Sequence, residues 1–231
     1  MHIDEEALLA SLKRLRHEGP DPSIGDHLAR IVQAVDDIFG YDGAGLMFAD
    51  ETRTLRYLIA TDEPGRSLER AQEEVGQGPC MDAYLHDTAI TTADAQADTR
   101  WPLLAALLHP RVHAVAGVPV RLAGGPVGSL NVYRAEPIEW DATDIQALHS
   151  YSKIIEQVVA SALAAEEHGA LAKQLQYALD YRVLIERAIG FLMGRLSFTA
   201  DEAFTALRKR ARDNRRRIVD VAAEVLGQQT P

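Results

Sequence analysis

The sequence predicts an α+β domain with an antiparallel sheet flanked by helices, joined by a long coiled-coil helix to an all-α bundle of three helices. Three observations predict it. Two apolar hairpins stand on either side of a long polar insertion. No proline occurs between Pro137 and Pro231, and apolar residues there recur at steps of three and four. A ten-residue basic run, Arg208–Arg217, sits in a chain of net charge −10.

Taken in order, Met1–Gly19 reads as a short amphipathic helix. Ile24–Phe39 is a second one, because Ile24, Leu28, Ile31, Val35 and Ile38 fall on one face. Gly40-Tyr41-Asp42-Gly43 ends it. Ala44–Ala49 and Leu55–Thr61 then read as strands around the polar turn Asp50-Glu51-Thr52. Ala114–Leu122 and Val127–Tyr133 form a second hairpin across Ala123-Gly124-Gly125-Pro126. Between the hairpins, Glu63–Pro110 reads as irregular, rich in Gly, Pro, Asp and Thr. An insertion of that length is expected to roof a pocket.

From Asp144 the pattern is helical. Ile145, Leu148, Ser152, Ile155, Val159 and Ala162 make a short heptad seam. The phase breaks at Glu166-Glu167-His168-Gly169, and a second set follows: Leu171, Leu175, Ala178, Arg182, Ile185, Ile189 and Leu192. Two readings stand, a dimeric coil or two ordinary packed helices, and the scarcity of other partner surface prefers the coil. After Gly194, Thr199-Ala200-Asp201-Glu202 is a capping box. Ala203, Phe204, Leu207 and Ala211 form the apolar face of the next helix. Asp213-Asn214 interrupts it, with Asn214 placed to cap a last helix that buries Ile218, Val221, Ala222 and Val225.

Charge divides the chain. Up to Ala165 it carries 13 bases and 25 acids, beyond it 11 and 9, giving −12 and +2. A basic module on an acidic body points to a polyanion such as nucleic acid, although a basic run is also how a solvated helix face looks. No stretch approaches the ~18 apolar residues of a membrane span. The acidic start MHIDEEALLASL is unlike an export signal, and the chain reads as cytoplasmic. Cys80 is the single cysteine, which excludes an intrachain disulfide and a Cys-x-x-Cys zinc site. No Gly-x-Ser-x-Gly, phosphate-binding loop or His-Glu-x-x-His occurs, so no enzyme activity and no cofactor is expected.

Particular residues carry two resemblances. Ile185, Ala188, Gly190, Leu192-Met193, Ala200-Asp201-Glu202-Ala203-Phe204, Leu207-Arg208, Asn214 and Asp220-Val221-Ala222 resemble the ANTAR domain, a family of RNA-binding transcription antitermination regulators. The chain departs from it at Ile189, where the family usually has lysine. Gly76-Gln77-Gly78-Pro79-Cys80-Met81-Asp82-Ala83, Asp98-Thr99-Arg100-Trp101-Pro102, Gly117-Val118-Pro119-Val120 and Gly128-Ser129-Leu130-Asn131-Val132-Tyr133 resemble a GAF domain, of the type joined to ANTAR in actinobacterial regulators. The expected division is an N-terminal extension over 1–20, a GAF sensory domain over 21–165, a coiled-coil linker over 166–180 and an ANTAR domain over 181–231.

The resemblance implies a homodimer that binds paired stem-loops in a nascent leader transcript and prevents a terminator hairpin from forming. Arg187, Arg195, Arg208, Arg210, Arg212, Arg215 and Arg216 would contact phosphates and stack on unpaired bases, with Asn214 on the same surface. Ala188 and Gly190 would let RNA approach closely, or would serve tight helix packing. The GAF domain would be the signal input, with Cys80, Trp101 and His113 as candidate contacts to an unknown small molecule. Each has a plainer reading. Cys80 is either a thiol activated at a helix start or a small buried residue. Trp101 either lines a pocket or fills the core. His113, like His109, is a haem-ligand candidate or a structural histidine. One GAF-fold family reduces free methionine sulfoxide with several cysteines, and a single cysteine argues against that activity. A DNA-binding regulator and a sensor acting through protein contacts are the rival readings.

Overall fold

The computed structural model describes residues 24–50, 55–164, 170–214, 216 and 218–227, and leaves aside the side chains at 57, 170–182, 201 and 212. The readings for Met1–Gly19, the Asp50-Glu51-Thr52 turn, the 166–180 coil surface, Gly169, Arg215 and the Arg212 side chain therefore lie outside the described residues. The chain divides into two compact units, a sheet domain and the C-terminal helices from Lys173 onward.

The sheet domain opens with α1 (Ile24–Phe39), whose predicted stripe is buried together with Val32 and Ala34. Strands β1 (Gly43–Ala49) and β2 (Leu55–Ala60) follow. The region expected to be irregular instead contains α2 (Glu63–Val75), α3 (Pro79–His86), β3 (Ile90–Thr92) and the short α4 (Pro102–Ala105). Capping explains α2. The Asp62 carboxylate accepts from the Gly65 N–H at 2.9 Å, Pro64 occupies the first turn, and Gly76 closes the helix in a left-handed conformation. Strands β4 (Ala114–Leu122) and β5 (Gly125–Arg134) form the second hairpin. Its two turn residues, Ala123 and Gly124, both have positive φ (48° and 82°), as tight hairpins require.

The five strands are ordered β2-β1-β5-β4-β3, and β5 is antiparallel to both its neighbours. Helix α5 (Ala142–Ala164) packs on β4 and α1, while α2 and α3 pack on β2, β4 and β5. The sheet is thus covered on both faces, and its strands are apolar almost throughout. Helix α5 also corrects the heptad reading. Leu148, Ser152, Ile155, Val159 and Ala162 are all buried, and the Ser152 hydroxyl donates to the Pro119 carbonyl at 2.6 Å. This face of α5 is consumed by its own domain, so no coil between chains runs along it.

The second unit contains α6 (Ala170–Leu196), α7 (Ala200–Asp213) and α8 (Ile218–Val225). The capping box forms as its residue types dictate: the Thr199 N–H donates to Glu202 Oε2 at 2.8 Å, and the Glu202 N–H to Thr199 Oγ1 at 3.2 Å. Ala203, Phe204, Leu207 and Ala211 are buried on α7, as are Ile218, Val219, Val221 and Ala222 on α8. Ile185 and Ala188 of α6 are buried as well. The Asn214 side-chain amide donates to the Arg210 carbonyl at 2.7 Å, at the C-terminal end of α7; residues 215 and 217, between it and α8, lie outside the described residues.

Candidate nucleic-acid interface and sensory core

The C-terminal unit exposes its charge. On α6, Arg187 and Arg195 are exposed, four residues to either side of an exposed Phe191. Arg195 reaches back over the Phe191 ring, 5.7 Å from its centroid. Gly190 and Gly194 have open space where a Cβ would stand, so the helix backbone is accessible beside that ring. Ala188 is different. It is completely buried, which makes it a packing residue and removes it from the accessible surface. Ile189 is half-buried.

The basic run is partly neutralised. Glu224 on α8 pairs with both Arg210 and Arg216, and those two cations hold its carboxyl below the usual range. Lys209 pairs with Asp213 one turn on. Arg208 is half-buried, its guanidinium 5.8 Å from the Phe204 ring centroid. Among the described residues of this unit, the exposed guanidinium groups are Arg187 and Arg195 on α6, and Arg210 and Arg216, which a polyanion would have to win from Glu224. Charge counting located the basic region. It could not find the Glu224 clamp, whose partners lie 14 and 8 residues away in sequence.

The sheet domain does the reverse and buries a polar cluster. On β5, Ser129, Asn131 and Tyr133 alternate onto the face covered by α2 and α3. Asn131 stands opposite Gly45 on β1 and Gly117 on β4. Those glycines make room for side chains from the covering helices. A Cβ at Gly45 would lie 2.2 Å from Glu69 Oε1, and one at Gly117 would lie 3.2 Å from the Cys80 Cα. Glu69 of α2, only 1% exposed, accepts from Asn131 Nδ2 at 2.8 Å. Gln72 bridges the two helices, accepting from the Cys80 N–H at 2.9 Å and donating to Cys80 Sγ at 2.8 Å. Ser129 Oγ donates to Asn131 Oδ1. At the edge of the cluster, the Tyr133 hydroxyl donates to Asp62 at 2.5 Å.

Burial dominates the electrostatics of this cluster. It pushes the Glu69 carboxyl up to about 8, although the Asn131 hydrogen bond opposes it. A group with that value is largely protonated at pH 7. Burial also pushes the Cys80 thiol well above its ordinary value, with nearby Glu69 adding to the shift. A position near the start of α3 would lower a thiol pKa, but desolvation wins here. Of the two readings of Cys80, the structure has the small buried residue: the side chain is fully buried and its thiol is pushed up.

Trp101 is also buried. Its indole N–H donates to Asp82 Oδ2 on α3 at 2.8 Å, and its ring packs with Ala71 and Leu104. Arg100 stacks on it at 4.2 Å and pairs with Asp98, whose carboxyl falls to about 2. His113 is tied elsewhere, to Asp94 at 3.0 Å. Cys80 and Trp101 are thus linked to one helix, α3, and His113 is not among their partners. Sequence reading missed Glu69, Gln72 and Asn131. Nothing in the sequence singles out Glu69 and Gln72, because most of α2 is polar, with Glu63, Arg66, Ser67, Arg70, Glu73 and Glu74 beside them.

Comparison with known proteins identifies both units. Residues 22–160 match the GAF domain model, and residues 173–226 match the ANTAR domain model. The chain belongs to the GAF domain family and carries an ANTAR domain after it. That pairing is a regulatory one, an RNA-binding antitermination module with a signal-sensing input. Among curated proteins, none matches the chain by sequence.

Solved structures agree on the fold. The chain is similar to a free methionine-R-sulfoxide reductase from Neisseria meningitidis in complex with its substrate, at 19% identity and TM-score 0.54, over 70% of this chain and 90% of that one. It is similar to the GAF domain of a phosphoenolpyruvate-protein phosphotransferase from Coxiella burnetii, at 16% and 0.53, over 70% and 95%. The corresponding Acinetobacter domain gives 16% and 0.52, over 70% and 95%. At such identities the likeness is one of fold alone. Among the described residues, no helix is long and apolar enough to cross a membrane.

Proposed function

We propose that the protein binds paired stem-loops in nascent leader RNA through its ANTAR unit, as a homodimer, and so prevents a terminator hairpin from forming. The observation that carries this reading is the exposed arginine and aromatic surface of α6 within the segment that matches the ANTAR model. Unpaired loop bases expose their edges and faces, whereas an A-form stem hides its major groove, so a surface of guanidinium and ring suits loops. Two linked copies would bind two hairpins with an avidity neither has alone. In this reading the two copies meet through the coiled-coil linker expected over 166–180.

The test is binding of the full chain to a two-hairpin leader RNA from the genome that encodes it, with each loop mutated in turn across a salt series. Tight binding lost on changing either loop, and weakening steeply with salt, supports the reading. Equal affinity for duplex DNA, or indifference to loop sequence, overturns it in favour of a DNA-binding regulator or a general polyanion patch. Insertion of one or four residues near Gly169 tests whether coil register passes the signal. Unchanged two-hairpin binding by both insertions rules that route out.

A further inference from the structure

We propose that Phe191 is the stacking platform for one unpaired base of the bound RNA loop, an assignment that rests on the RNA-binding reading above. A phenylalanine that is 40% exposed needs a reason, because an exposed ring forgoes the burial that ordinarily favours it. Three features around it supply one. Arg187, Phe191 and Arg195 stand at steps of four on α6, so their side chains are neighbours along one flank. Helical side chains lean toward the N-terminus, which carries Arg195 back over the ring to 5.7 Å. A cation there supports the ring on one side and leaves positive charge beside whatever stacks on the other.

The third feature is the glycine pair. Gly194 is three residues beyond Phe191, on the same flank of the helix. It has no side chain, and nothing lies within 4 Å of where a Cβ would be, nor at Gly190. The helix backbone at these two positions is therefore uncovered, with room for a flat group to approach it. Val183, also exposed, extends this apolar surface by two turns. A flat, apolar, electron-rich surface with guanidinium groups at both ends matches a nucleobase and its flanking phosphates. Base-on-aromatic stacking tolerates any base, so Phe191 supplies affinity while the bases' edges remain free to be read.

The experiment uses the full chain and a leader hairpin carrying 2-aminopurine at each loop position in turn. The platform predicts that one position is quenched on binding. Phe191→Leu, which keeps an apolar side chain on an exposed site, abolishes that quench and weakens affinity at least about five-fold. Phe191→Tyr and Phe191→Trp retain both. The dependence of affinity on salt is unchanged in all three, because no charge is altered. Phe191→Leu binding and quenching like the original chain overturns the platform while leaving RNA binding intact. Loss of affinity that follows a loss of dimer, measured by light scattering, also overturns it, since the ring would then be a contact between copies. Absence of RNA binding by the original chain defeats the underlying reading itself.

Discussion

Glu69 and Glu224 carry the same carboxyl in opposite surroundings, and the contrast separates the two halves of the molecule. Glu69 is sealed between α2 and the sheet with amides for company, and burial raises it to about 8. Glu224 is exposed on α8 between two guanidinium groups, which lower it. The sensory half hides its polar groups where their protonation depends on packing. The C-terminal half displays its charges where a polyanion can compete for them. One half keeps its polar groups in its interior, the other keeps its charges at its surface.

The contrast is most easily broken on the exposed side. Replacing Arg187, Arg195 and Arg208 together by alanine removes three exposed or half-exposed cations. Affinity for a hairpin RNA should fall by roughly a hundred-fold, and the salt slope by about 0.7 per lost phosphate contact. Filter binding over a salt series measures both. An unchanged slope means that these arginines do not face phosphate.

On the buried side, Gly45→Val drives side-chain atoms into Glu69, since even a Cβ would stand 2.2 Å from Oε1. Such overpacking costs about 1–3 kcal/mol or more. The melting temperature of the sheet domain should drop accordingly, while RNA affinity measured well below that melt stays within about two-fold. Coupled loss of both would show that the two halves are not chemically separate.

These two lesions also mark what the sequence disclosed. Helix α1 and the two hairpins were legible because their apolar residues keep a helical or strand period over a whole element. The arginines were legible because charge needs no fold to be counted. Helix α2 was not, because its buried residues are Pro64, Gly65, Leu68, Glu69, Ala71 and Gln72, with only Leu68 a large apolar side chain. A period search looks for apolar repeats and passes over a stripe of that kind. The cluster also depends on Gly45 and Gly117 standing beside Asn131 across three strands, a register visible only in the folded sheet. The heptad seam failed for the complementary reason. Its period was correct, but periodicity does not say which surface covers a stripe, and here the chain's own sheet does.

A smaller effect sharpens the contrast by pH. Glu69 is raised from an ordinary 4.5 to about 8, so between those values the folded state holds a proton that the unfolded state has released. Stability contributed by this group therefore falls as pH rises from about 4.5 to 8, with a slope of at most about 1.4 kcal/mol per pH unit. Denaturant midpoints across that window should decline in the original chain and lose that component in Glu69→Gln. An identical profile in both would mean that Glu69 titrates normally.

The smallest effect lies at Glu224. Glu224→Gln releases Arg210 and Arg216, and affinity for RNA should rise about two- to five-fold at low salt with a steeper salt slope. No change would mean that those two arginines do not reach the RNA.

The most direct measurement is single-round transcription of a leader template whose second hairpin overlaps a terminator, with and without the full chain. The protein should raise read-through, and changing either loop, or replacing Arg187, Arg195 and Arg208 by alanine, should return termination to its basal level. Termination unaffected by the protein, on a template to which it demonstrably binds, would contradict antitermination as the function.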